Sequence, residues 1–251
     1  MDVESLLADL LDPQRRLRPI GGGMWSALPE GQHAERYDRR ASAYDAVVGS
    51  RLYNRLLWGS SPAAYAGFAA RALQSGDGPL LDAGCGSLVF TADVYARADR
   101  PLVLADRSLG MLQAAQTRLR AAGGARARDA IFLQADLFDL PFRPGRFSTV
   151  ISMGMLHLFD DVVGLVAALG RPLAPGGHLY LTSLVAERRI GRAYLSLLHR
   201  AGEVAIPRTY AQMSEAVQRG VASTGRLDGD IQGSMAFLEV SRSTQTRVVG
   251  G

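Results

Sequence analysis

Leu80-Leu81-Asp82-Ala83-Gly84-Cys85-Gly86-Ser87 decides the fold, because an apolar run of strand type ends in an acid and enters a glycine turn. Glycines in such a turn let the backbone approach a ligand and present its N–H groups in the crevice beyond the strand ends. A helix is predicted next, over Thr91–Ala98, and the rhythm then repeats outward. Further strands are predicted at Leu102–Ala105, Ile131–Gln134, Thr149–Met153 and His178–Ser183, with a last one at Ser234–Ser241. Helices are predicted at Leu109–Ala122, Val162–Leu169 and Tyr210–Ala222. Thr209-Tyr210-Ala211-Gln212 has the form of a capping box at the start of the last helix. Strands separated by helical crossovers give an α/β fold with a doubly wound, mostly parallel sheet.

Upstream of Ser75-Gly76-Asp77-Gly78-Pro79 the pattern differs. A short helix start at Ser5–Leu11 is followed by Pro13, Pro19, Gly21-Gly22-Gly23 and Pro29, punctuation that predicts a loosely docked arm over residues 1–30. Residues 31–75 read as helical, with Tyr37, Tyr44, Val47 and Leu52 on recurring faces and Pro62 opening a further helix. The division predicted is an arm and helical cap over 1–75 and a ligand-binding core over 76–251.

The glycine turn is not a dinucleotide fingerprint, which requires glycine where Val89 stands. A turn opened by Asp82 suits a ligand with an amino acid group, with Asp82 toward the cationic nitrogen and Gly84 and Gly86 N–H groups on the polar edge. That ligand is S-adenosylmethionine (SAM). Asp106 closes the next strand, 20 residues beyond Gly86, and can accept hydrogen bonds from both ribose hydroxyls. The other reading of Asp106 is a helix N-cap. Asp136 ends the third strand, where it can accept from the adenine amino group while Leu137 lies against the ring.

These residues resemble the class I SAM-dependent methyltransferases, in particular the small-molecule group that includes ubiquinone/menaquinone C-methyltransferases. The matching stretches are LLDAGCGS (80–87), VLADRS (103–108), QADLFDLPF (134–142), FSTVISMGMLHLF (147–159) and LAPGGHLYLTS (173–183). The resemblance implies a seven-stranded Rossmann-like sheet that binds SAM and releases S-adenosylhomocysteine. It places Gly84, Cys85 and Gly86 along the methionine part, with Asp82 supporting the loop. Asp106 would hold the ribose, Arg107 and Met111 would border the adenine, and Asp136 and Leu137 would cover its edge. Ser152 and Met153 would contact the amino acid group, and Pro175-Gly176-Gly177 would turn into the fifth strand. Tyr44 would close the site from the cap. One departure is Leu88, which stands where the family commonly has a third glycine; it either narrows the pocket or packs under the loop.

An alignment-driven methyl transfer requires no universal catalytic group, and a base only where the nucleophile is protonated. His157, just past the fourth strand, is the candidate base, or else a packed histidine. Ser152-Met153-Gly154-Met155 lacks the pattern of amino-methylating DNA enzymes. Asp160-Asp161 reads as a helix start rather than a metal pair, so no metal is expected. The segment Glu187–Pro207 is a predicted helical insertion of lid type, with a dimer contact as its other reading.

Of the 251 residues 47% are hydrophobic and 21% charged, which suits a folded globular chain. The net charge is +4, and all 28 basic residues are Arg. Their scatter among Asp38, Glu187 and Asp228 reads as a solvated surface, so nucleic acid is not an expected partner. One cysteine, Cys85, excludes an internal disulfide. No leader pattern and no long apolar run is present, so the expectation is a cytoplasmic protein without membrane contact, acting on a small-molecule acceptor and able to form a homodimer. Two alternatives stand beside it: a methyltransferase for RNA or a carrier-bound acyl group, and a relative that binds SAM without turnover.

Overall fold

The computed structural model describes residues 3–30, 61–124, 129–221 and 225–244. Apolar strand runs and amphipathic crossovers build one nine-stranded sheet with helices on both faces. In chain order the elements begin with α1 (Val3–Leu10), β1 (Arg18–Gly21), β2 (Met24–Ser26), α2 (Pro62–Gln74) and β3 (Leu80–Ala83). There follow α3 (Ala92–Tyr95), β4 (Leu102–Asp106), α4 (Leu109–Ala122), β5 (Ile131–Gln134) and β6 (Phe147–Ser152). The last are α5 (Val162–Gly170), β7 (Leu173–Leu184), α6 (Arg189–Arg200), α7 (Tyr210–Gly220), β8 (Gly225–Gln232) and β9 (Met235–Arg242). The strand order is β1-β2-β5-β4-β3-β6-β7-β9-β8. Strands β2 through β7 are parallel, and β1, β8 and β9 supply the antiparallel pairings.

Strand alternation sorts the side chains to two cores. Leu81, Val103, Ile131, Val150 and Leu179 face α1, α5 and α7, whose Leu6, Leu10, Leu165, Val166, Met213 and Val217 close that layer. Leu80, Leu102, Leu104, Phe132 and Ile151 face α2, α3, α4 and α6 through Phe68, Ala69, Tyr95, Leu112 and Leu195. Burial on both faces is what a parallel sheet requires. The predicted capping box is present in both halves: Gln212 N–H donates to Thr209 Oγ1 at 3.3 Å and Thr209 N–H to Gln212 Oε1 at 2.9 Å.

The N-terminal thirty residues depart from the predicted loose arm. Leu6, Leu7 and Leu10 are buried in the core, and β1–β2 extends the sheet beyond β5. The glycines read as breakers form the hairpin turn: Gly21 pairs with Met24, and Gly22 and Gly23 between them have φ of +62° and +79°. Positive φ at both central residues matches the twist of a two-residue hairpin. Gln116 of α4 donates to Gly22 O at 2.9 Å and holds the turn against the body. With β8 also unpredicted, two further strands flank the seven of β5-β4-β3-β6-β7-β9-β8. The turn expected at Pro175-Gly176-Gly177 is instead a bulge inside β7, which runs from Leu173 onto His178 while β6 advances from Phe147 to Thr149. Tyr44 and the cap over 31–60 lie outside the described residues.

Candidate cofactor site at the switch point of the sheet

From β3 the chain winds one way through β4 and β5, then returns to the other side of β3 with β6. The crevice at the carboxyl ends of β3 and β6 is therefore the topological switch point, where open α/β sheets take ligands. The Gly84–Gly86 loop leaves β3 there, and Ser152-Met153 leaves β6 beside it. Sequence positions about seventy residues apart meet only through this pairing.

The loop is fixed by backbone and by one carboxylate. Gly84 and Cys85 N–H groups donate to Ala105 O at 2.8 and 3.0 Å. Gly86 N–H donates to Asp106 Oδ2 at 2.9 Å, and Ser108 N–H to Asp106 Oδ1 at 2.9 Å. Ser108, not Asp106, caps α4, accepting from Met111 N–H. Asp106 thus ties the glycine loop to the start of α4. Gly84 has φ +80°, and a Cβ there would lie 2.7 Å from Met155 Cγ, so glycine is required on two counts. A Cβ on Gly86 would meet nothing within 4 Å among the described residues, so none of these fills the space in front of the loop.

Asp82 sits behind this loop. It is 1% exposed, its Oδ2 accepts from Tyr95 O–H at 2.8 Å, and its Oδ1 has no partner among the described residues. Burial is the main cause that pushes its carboxyl up to about 7, with Tyr95 opposing and Asp106 adding to the rise. The buried Ser152 Oγ, at the end of β6, also lacks a partner among the described residues. Burial, before repulsion from Asp106 and Asp82, raises the Cys85 thiol well above its usual range and keeps it protonated. Arg107 donates to Asp136 Oδ2 at 2.6 Å, and Phe138 N–H to Asp136 Oδ1 at 2.9 Å. Met111 and Leu137 are buried, while Met153 is half-buried.

Leu88 packs under the loop. It is 2% exposed within the second core and has φ +59°, the one positive φ among described non-glycine residues. The chain keeps a glycine-like backbone here and fills the space with an isobutyl group, at a strain of about 1–2 kcal/mol.

His157 is half-buried between the loop after β6 and the end of β7. Its Nδ1 accepts from Leu184 N–H at 3.4 Å, and burial lowers its pKa to about 4. A neutral imidazole accepting at Nδ1 carries its proton on Nε2, so it offers a donor. Asp161 caps α5 through Gly164 N–H, and Asp160 accepts from Ile206 N–H. No metal-binding group of side chains occurs among the described residues. Tyr95 and Met155 escaped sequence reading: neither a tyrosine 13 residues beyond Asp82 nor a methionine after β6 carries a local signal.

Residues 81–181 match the family model described as "methyltransferase domain". An uncharacterized protein of Synechococcus sp. is 38% identical over 142 residues, 56% of this chain and 33% of that protein, so the chain matches a third of this relative's length. Among solved structures, the [4+2]-cyclase SpnF aligns with a TM-score of 0.64 at 15% identity, covering 84% of this chain and 96% of its own. A geranyl diphosphate methyltransferase in complex with GPP and sinefungin aligns at 0.56 and 15% identity, covering 73% and 77%. The glycine loop at the switch point lies within residues 81–181, the stretch that matches the methyltransferase domain model, and the open doubly wound sheet is the fold that these solved structures share.

Proposed function

We propose that the chain is a SAM-dependent methyltransferase acting on a small-molecule acceptor. The observation that carries this is the convergence of Gly84–Gly86, Asp106 and Asp136 at the carboxyl ends of β3, β4 and β5, beside Ser152 at the end of β6. The space before Gly86 that no described residue fills and the unpartnered Asp82 Oδ1 and Ser152 Oγ fit a polar ligand seated on the loop. When bound, SAM supplies a sulfonium methyl that an acceptor nucleophile takes by in-line displacement, leaving S-adenosylhomocysteine.

The chain's own part is binding and alignment. Gly84, Cys85 and Gly86 line the methionine end, supported from behind by Asp82. Asp106 accepts from the ribose, while Arg107, Met111, Asp136 and Leu137 frame the adenine, and Ser152 and Met153 meet the amino acid group. His157 serves as a positioning donor through Nε2, since its Nδ1 accepts from Leu184 N–H and burial, which lowers its pKa to about 4, makes it a weak base. Resemblance to the ubiquinone/menaquinone group supports a quinone precursor or similar metabolite as acceptor.

The fold alone admits other chemistry, since a [4+2]-cyclase shares it. Calorimetry with S-adenosylhomocysteine separates the readings. Saturable binding is expected, weakened a hundredfold or more in Asp106→Ala, where charge-assisted hydrogen bonds are lost, and absent with NAD. No binding at millimolar ligand would overturn the proposal. Binding without methyl release across an acceptor panel would move it to the non-transferring reading.

A further inference from the structure

The large apolar side chains left exposed among the described residues are Phe138, Ile190, Leu197 and Ile206. Three of the four belong to the single insertion between β7 and α7. Ile190 is 70% exposed, and Leu197 and Ile206 are each 60% exposed. Scattered surface leucines require no explanation, but a cluster on one segment marks a contact face.

The insertion is rigidly seated, so this exposure is not a frayed end. Leu195 is buried in the second core. Gly191 lies so close to the β8–β9 turn that a Cβ would stand 2.4 Å from Ser234 Oγ. Arg192 Nε donates to Ala186 O at 3.1 Å. Beyond α6 the chain folds back on the loop after β6: Ala205 N–H donates to His157 O at 3.0 Å, and Arg208 Nη2 to Asp160 O at 2.7 Å. The exposed residues are thereby held at the carboxyl end of the sheet, the end that carries the candidate site.

Helical spacing arranges α6 further. Ile190, Ala193 and Leu197 form one stripe, all exposed, and Arg189 and Arg200 fall along its flank. Arg188, Arg189 and Arg200 form no ion pair among the described residues, and the segment 187–208 holds five arginines against two glutamates. Apolar anchors bordered by unpaired guanidinium groups are complementary to an anionic lipid surface, into which such a helix sinks its apolar stripe while arginines meet headgroup phosphates. No described helix is long and apolar enough to cross a membrane.

We propose that α6 and the following turn dock this protein on an anionic membrane surface, with the candidate site facing the bilayer. This revises the expectation of no membrane contact. If the methyltransferase reading also holds, the acceptor class is one dissolved in the bilayer.

The test is cosedimentation of the whole chain with phosphatidylcholine vesicles, with and without phosphatidylglycerol, at low and at molar salt. Binding is expected only with phosphatidylglycerol, and salt weakens it. Ile190→Glu/Leu197→Glu abolishes it, and Arg189→Gln/Arg200→Gln weakens it roughly tenfold or more. The arginine variant alters only exposed side chains, so it keeps the test sharp should the glutamate variant fold poorly. Melting curves and S-adenosylhomocysteine affinity are measured on the same samples, so loss of docking is distinct from loss of the cofactor reading. No binding to anionic vesicles, or binding untouched by both variants, overturns the proposal. It is equally overturned if the glutamate variant turns a dimer into a monomer and no vesicle binding is seen, which assigns the face to a second copy.

Discussion

The two ends of the parallel sheet are built on opposite terms. At the amino end Arg100, 3% exposed, satisfies a ring of acceptors: Gly78 O, Leu73 O, Pro79 O, Ser148 Oγ and Thr149 Oγ1. At the carboxyl end Asp82 Oδ1 and Ser152 Oγ are buried without partners among the described residues, and Leu88 holds a left-handed backbone. One end is a saturated hydrogen-bond knot. The other keeps unmet polar atoms and local strain where a ligand is proposed to sit. Unmet polar atoms and strain at a ligand site are carried by the stability of the rest of a fold, and Arg100 is a place where that stability can be tested.

The comparison breaks most visibly at Arg100. Arg100→Met strips several buried carbonyls and hydroxyls of their donor, and about 3–5 kcal/mol of stability is expected to go, a fall of roughly 10 °C in melting temperature. S-adenosylhomocysteine affinity of the folded protein stays near the parent's. A melting temperature within a degree or two of the parent's would mean the knot is ornamental.

Leu88 tests the strained end. Leu88→Ala is expected to cost about 2–3 kcal/mol through lost packing. Leu88→Gly removes more side chain yet relieves the left-handed backbone, so it is expected to be the more stable of the two by about 1 kcal/mol. Chemical denaturation of both variants measures the order. The reverse order would show that the backbone at 88 is unstrained.

A third test is a pH dependence, in which two opposing shifts partly cancel. The carboxyl of Asp82 is raised from 3.8 to about 7, so the folded state holds its proton more tightly than the unfolded one. Asp82 therefore stabilises the fold at low pH, and that contribution is lost as pH rises from about 4 to 7. His157, lowered to about 4, works in the opposite sense below its usual 6.5 and masks part of the slope. Asp82→Asn is expected to make stability rise more steeply, or fall less, between pH 4 and 7 than in the parent. Identical slopes in parent and variant would show that the Asp82 carboxyl holds its proton no more tightly in the folded state than in the unfolded one.

Much of this was legible in the sequence for a simple reason. Strands buried on both faces read as short apolar runs, so β3 through β6 were found close to their observed limits, whereas β7 starts five residues before the predicted His178. The acids at their ends were legible because a strand-ending acid stands out against such a run. Other features were hidden because their support is distant. β8, Gly-Arg-Leu-Asp-Gly-Asp-Ile-Gln, is polar and mostly exposed, and exists through its pairing with β9. β2 exists because Met24, Trp25 and Ser26 pair with Phe132, Leu133 and Gln134.

By itself, then, the sequence determined the layered α/β sheet, the glycine turn and the acids that end β3, β4 and β5, since period and local chemistry specify those. Tertiary structure alone decided that β6 returns beside β3 to make the switch-point crevice, and that Tyr95 meets Asp82. It also decided that Leu88 fills the core instead of the pocket, and that α6 turns Ile190 and Leu197 outward. Each of these depends on which distant surfaces pack together, and a local run of residues carries no record of its partners.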